Sequence, residues 1–190
     1  MRLQVAPSVF ALAVLALAPA AFAQAIEEKA KVCATCHGAA GVPIDKKLPV
    51  ISGQQADFLY LDLRDFKVGA RKNELMSPIA AGLSHEDMLA LAEYFAKKPW
   101  PNLDQPRAPD AIAHRAEVGA SSGQCTQCHL GGYLGASTTP RIADQNEEYL
   151  LKTMQDFRSG ARANNPWMTD LLKTYKDEDI QAFAEYLSGM

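Results

Sequence analysis

The chain has 190 residues, 48% of them hydrophobic and 22% charged, with four cysteines and four histidines. That is the composition of an ordinary globular protein, which argues against disorder, collagen-like repeats and coiled coil. A formal charge of −3 argues against the basic face that a nucleic-acid binder needs.

In chain order, the first element is a leader. Met1 and Arg2 are followed by an apolar run from Phe10 to Ala21 and by Ala21-Phe22-Ala23. A basic start, a short apolar core and a small-x-small site predict a secretory signal peptide over 1–23, cleaved after Ala23 or, as second choice, after Ala25. The rival reading is a membrane anchor, but the segment is broken by Pro19 and short for a span. No later stretch has eighteen apolar residues in a row, so no transmembrane anchor is expected in the mature chain.

The next element is Cys33-Ala-Thr-Cys36-His37, and it recurs as Cys125-Thr-Gln-Cys128-His129. All four cysteines are used in these two copies of Cys-x-x-Cys-His, the c-type haem attachment signal. Thiols at i and i+3 project from one face of a helical turn, where they can add to two vinyl groups of one porphyrin. The adjacent histidine can then ligate the iron. Three other readings compete. A redox Cys-x-x-Cys needs no histidine and usually sits in a βαβ context. A zinc site would have to bridge the long interval between Cys36 and Cys125, far beyond normal ligand spacing. Two unconnected disulfides would leave both histidines unexplained. Two covalently bound haem c groups, attached through Cys33, Cys36, Cys125 and Cys128, are therefore expected.

Between the motifs lies an internal repeat. The segment Phe58 to Arg71 answers Tyr149 to Arg162 at an offset of 91, and Met76 answers Met168 at an offset of 92. The apolar stripe Leu59, Leu63, Phe66 has its counterpart in Leu150, Met154, Phe157, and both have helical spacing. A further helix is read from Met88, Leu91, Ala92, Phe95 and from Ile180, Phe183, Ala184, Leu187, with Ser84 and Asp87 as the start of the first copy. No stretch alternates in the manner of a strand. Four prolines between Pro99 and Pro109 mark a linker. The expected organisation is a 24–98 N-terminal domain, a 99–109 linker and a 110–190 C-terminal domain, each small enough to need its porphyrin as part of the core.

The repeat also selects the second axial ligands. Met88 aligns with Ile180 and Met154 with Leu63, so these two read as core, whereas Met76 and Met168 share one spacing from His37 and His129. The iron ligands are then His37 with Met76 and His129 with Met168. His85 and His114 are the rival ligands; His85 aligns with Asp177, His114 lies on an expected helix before the second motif, and otherwise both read as surface residues. Pro49 and Pro140 are candidates for a backbone carbonyl that accepts from the Nδ1–H of each haem histidine.

Cys-x-x-Cys-His-Gly-x-x-Gly, then Leu48-Pro-Val-Ile-Ser-Gly-Gln54, Phe66-Lys-x-Gly-Ala-Arg71 and Met76-Ser-Pro-Ile-Ala-Ala-Gly-Leu-Ser84 resemble the cytochrome c4 family. The second half departs from that pattern at Ile142-Ala-Asp-Gln145 and Trp167-Met-Thr-Asp170. The resemblance implies an all-α protein of two tandem class I cytochrome c domains related by a pseudo-twofold, with His/Met ligation at both irons. It implies a periplasmic electron carrier rather than an enzyme, passing electrons from a respiratory redox donor to an acceptor such as a membrane-bound terminal oxidase. The alternative is the haem subunit of a periplasmic dehydrogenase complex of the flavocytochrome c type. A dihaem enzyme with a thiolate ligand would need a cysteine outside the two motifs, and the chain has none.

Overall fold

A computed structural model describes residues 17–190, with side chains described from Ile26 onward. The expected leader therefore falls mostly outside the described residues, and 17–23 belong to the start of the first helix. The described chain is helical, and among its residues the sole strand-like feature is one isolated bridge between Ala136 and Thr139.

The first half is built from α1 (Leu17–His37), α2 (Ala56–Val68), α3 (Met76–Ala81) and α4 (His85–Ala96). The second is built from α5 (Asp110–Ser122), α6 (Cys125–His129), α7 (Glu147–Ser159), α8 (Pro166–Leu172) and α9 (Asp177–Ser188). In the first half α2 packs on α3 and α4, and α1 packs on α4; in the second α9 packs on α5 and α7, and α7 on α8.

Local chemistry explains the bounds of the long helices. Gly69 and Gly160 end α2 and α7 with φ of +75° and +81°, each donating its N–H to Phe66 or Phe157 respectively. That left-handed terminus costs a glycine little. Ser84 and Asp87 form a reciprocal capping box at the start of α4, as their sequence spacing suggests. The apolar stripes face inward except at Leu63, which is half-buried: Leu59 and Phe66 of α2, Leu150, Met154 and Phe157 of α7, and Ile180, Phe183, Ala184 and Leu187 of α9 are buried. Each large side chain of this kind stabilises the fold by about 1.5–3 kcal/mol through burial. Met88 is 4% exposed inside its half, consistent with a core role.

The proline-rich segment after α4 has no helix, but it is not a free tether. Trp100 Nε1 donates to the carbonyl of Asp144 at 3.2 Å, and Arg141 stacks on its ring. Gln105 Nε2 donates to the carbonyls of Gln145 and Ser188.

Candidate haem sites

Each Cys-x-x-Cys-His motif lies on helix, so the thiol spacing is that of one turn. In the first half the motif is the last turn of α1. In the second it is a separate short helix: α5 stops at Ser122, and Gln124 at φ +54° turns the chain into α6. None of Cys33, Cys36, Cys125 and Cys128 is in a disulfide. Burial pushes the Cys33 and Cys125 thiols above their ordinary pKa.

His37 and His129 are both 7% exposed. The Nδ1 of His37 lies 2.8 Å from the Pro49 carbonyl oxygen, and that of His129 lies 3.0 Å from Pro140. A carbonyl can only accept, so Nδ1 carries the proton and Nε2 keeps its lone pair. Burial lowers both pKa values below the ordinary histidine range and favours this neutral form. The two prolines thus occupy the positions read for them in the sequence.

Met76 is the first residue of α3, and Met168 lies in the first turn of α8. These short helices give no clear periodicity in the sequence. Both methionines are half-buried, and Met168 packs on the core of its half. Each is held by an asparagine three residues earlier: Asn73 Oδ1 accepts from the Met76 N–H at 2.9 Å, and Asn165 Oδ1 accepts from the Met168 N–H at 3.3 Å. The repeated Asn-x-x-Met spacing is the signal that the sequence offers for these two residues. His85 is exposed beside Tyr60, and His114 is exposed on α5.

The residues fit a c-type haem. Each half supplies two thiols one helical turn apart, neither in a disulfide, and a neutral imidazole with no partner at Nε2 among the described residues. Large apolar side chains also stand exposed beside each motif and each methionine: Val42, Ile44 and Leu75 in one half, and Leu130, Leu134 and Trp167 in the other. Apolar surface of this kind is what a porphyrin covers. The loop after each motif is shaped differently. Gly38, at φ +82°, has no room for a side chain, because a Cβ there would lie 1.8 Å from the Val42 carbonyl oxygen. Its counterpart is Leu130, held at φ +60° and ψ 177°, a conformation that is ordinarily glycine's.

Between the halves lies a buried ionic cluster that the sequence reading did not anticipate. Asp62 accepts from Arg71 at 2.5 Å and from Arg162 of the other half at 3.2 Å. Arg71 also donates to the Tyr149 hydroxyl at 3.3 Å, and Asn164 donates to Asp65 at 2.7 Å. The guanidinium groups stack on Phe66 and Phe157 at 4.6 and 4.4 Å, so the repeated Phe-x-x-Gly-Ala-Arg run is an interface device. The two arginines hold the buried Tyr149 hydroxyl below its usual pKa despite desolvation, which alone would raise it.

No family model matches the chain. Among curated proteins it is 34% identical over 173 residues to a thiosulfate dehydrogenase electron acceptor of Stutzerimonas stutzeri, covering 85% of this chain and 80% of that protein. It is 34% identical over 181 residues to a cytochrome c4 of Thiocapsa roseopersicina, covering 88% and 92%. Among solved structures, reduced recombinant cytochrome c4 from Pseudomonas stutzeri superposes with a TM-score of 0.78 at 28% identity, over 88% of this chain and 98% of that one. These relations describe an all-helical electron-transfer protein of two class I cytochrome c domains with two covalently bound haem c groups, and the chain belongs to the cytochrome c4 family.

Proposed function

We propose that this chain carries single electrons between periplasmic redox partners through two equivalent sites, Cys33, Cys36, His37 and Met76 in one half and Cys125, Cys128, His129 and Met168 in the other. The observation that carries the assignment is the pair of buried histidines, each with Nδ1 bound to a proline carbonyl and, among the described residues, no partner at Nε2. When bound, each haem supplies a one-electron iron couple. The chain's own residues attach and tune it. The cysteine thiols anchor the ring covalently. The proline carbonyls fix the imidazole tautomer and strengthen the histidine as a donor. Met76 and Met168 would each supply a thioether, a ligand that favours the reduced iron, and an iron so held by histidine and methionine would suit outer-sphere transfer rather than substrate chemistry.

The division read from the sequence, with a leader over 1–23, domains over 24–98 and 110–190 and a linker over 99–109, belongs to the same proposal. So does export by cleavage near Ala23 or Ala25. No helix among the described residues is long and apolar enough to cross a membrane. For the donor, the similarity to a thiosulfate dehydrogenase electron acceptor supports a periplasmic dehydrogenase, and a terminal oxidase is the acceptor we propose. The alternative, a fixed haem subunit of such a dehydrogenase, predicts a stoichiometric complex on purification; the carrier predicts a chain that purifies alone.

The assignment is tested by a pyridine haemochrome assay with intact mass spectrometry. Two covalently bound haems per chain are expected. One haem, or haem extracted by acidified acetone, would overturn it.

A further inference from the structure

The two halves grip each other at one repeated point. The side-chain amide of Gln54 makes two bonds to the backbone of Arg141 in the other half. Arg141 N–H donates to Oε1 at 2.8 Å, and Nε2 donates to the Arg141 carbonyl at 2.9 Å. Gln145 does the same to Val50, whose N–H donates to Oε1 at 2.8 Å and whose carbonyl accepts from Nε2 at 3.0 Å. Gln54 and Gln145 are 91 residues apart, as are Val50 and Arg141. Both glutamines are buried, at 4% and 3% exposure. Each is also locked locally, since its Oε1 accepts from the N–H of the next residue, Gln55 or Asn146, at 2.9 Å.

The gripped residues stand next to the histidines' partners. Pro49 C=O and Val50 N–H belong to one planar peptide group, as do Pro140 C=O and Arg141 N–H. The first group accepts from the His37 Nδ1–H at its oxygen and donates its own N–H to Gln145. The second accepts from the His129 Nδ1–H and donates its N–H to Gln54. Hydrogen bonds in such a chain polarise one another, so a peptide that donates through N–H becomes a better acceptor at its oxygen. The link from each histidine to the opposite half is therefore one shared peptide group.

We propose that Gln54 and Gln145 are crossed positioning residues: each sets the orientation and hydrogen bonding of the iron-ligating histidine in the opposite half. This rests on the reading of His37 and His129 as iron ligands. The inventory of interface bonds alone would make the glutamines adhesive; their attachment to these two peptide groups makes them a coupling between the two sites. Losing Gln145 weakens the Pro49 acceptor, makes His37 a poorer donor and raises the potential of the first haem, while the second keeps its own.

The test uses the full dihaem protein and follows the Nδ1–H resonances of both histidines in the reduced state, assigned through their proximity to Pro49 and Pro140. Gln145→Ala is expected to shift the His37 resonance and speed its exchange on the order of tenfold, the loss of about one hydrogen bond. The His129 resonance stays in place. Gln54→Ala is expected to do the reverse, and a redox titration should show one potential rising in each variant. Gln145→Glu keeps an acceptor for the Val50 N–H and should return the His37 resonance toward its original position. Where the alanine variant fails to fold, Gln145→Met fills similar space without an acceptor and should shift the His37 resonance alone. Movement of the histidine in the substituted half, equal movement of both, or movement of neither overturns the proposal. If the unsubstituted protein lacks the ring-current-shifted resonances of both histidines, iron ligation fails and the crossing with it; failure of the crossing alone leaves those resonances intact.

Discussion

The two halves hold the same set of site residues and reach it by different routes. In the first, one continuous helix runs through the haem motif, the chain turns at Gly38, and the connected buried cluster comprises Ile26, Ala30, Leu59, Leu91, Ala92 and Phe95. In the second, the helix breaks at Gln124 and the turn is made by Leu130. The cluster there runs through α5, α7, α8 and α9, and the linker is docked beside it. Glycine sets part of that difference: at Gly119 any Cβ would meet the Phe183 ring at 2.7 Å, so α5 and α9 approach closely. The His–Pro bond, the Asn–Met bond and the glutamine grip occur in both halves. Repeats of one domain can therefore diverge in core and turns while these repeated hydrogen bonds stay alike.

The interface breaks the symmetry most sharply, because Asp62 serves both arginines and its counterpart in the repeat is Thr153. Asp62→Asn leaves two largely buried guanidinium groups without their shared carboxylate. It should cost about 3–5 kcal/mol and split one cooperative unfolding transition into two. Differential scanning calorimetry checks this; a single unshifted transition would show that the halves are joined by other contacts.

The turn after each motif gives the next largest effect, and an unequal one in the two halves. Gly38→Ala drives a Cβ into backbone and should destabilise the first domain by more than about 2 kcal/mol. Leu130→Gly relieves a conformation that costs a side-chain-bearing residue, but it also removes apolar surface that the porphyrin would cover. The two terms oppose, so the second domain should shift by less than about 1 kcal/mol, read from denaturant midpoints.

Smallest are the asparagines that hold the methionines. Asn73→Ala and Asn165→Ala should each cost about 1 kcal/mol, the usual worth of a helix-start acceptor. Each should also loosen one methionine, seen as faster binding of imidazole at a single haem. The effect should be similar in both halves, despite the different loops around Met76 and Met168.

Much of this was legible in the sequence. Two Cys-x-x-Cys-His motifs, the repeat and the apolar stripes point to two small helical domains, and the proline positions twelve and eleven residues beyond the histidines anticipate the carbonyls at Pro49 and Pro140. The sequence departures of the second half proved milder than they read: Ile142-Ala-Asp-Gln145 lacks the Ser-Gly-Gln turn, yet Gln145 makes the same bonds as Gln54. What stayed hidden depends on partners far along the chain. Nothing near Gln54 announces Arg141, and nothing near Asp62 announces Arg162, because an interface between repeats has no local periodicity. The break at Gln124 was hidden for another reason: Gln124 is a non-glycine residue at φ +54°, a conformation that local propensity does not announce.

The central claim, two equivalent His/Met irons in unlike frames, is tested most directly by the near-infrared sulfur-to-iron charge-transfer band of the oxidised protein. An intensity matching two sites is expected, with Met76→Ala and Met168→Ala each removing about half of it and lowering the potential of one haem. A band of half intensity in the unsubstituted protein that Met168→Ala leaves unchanged would contradict the claim, and would mean that the second iron takes a different ligand.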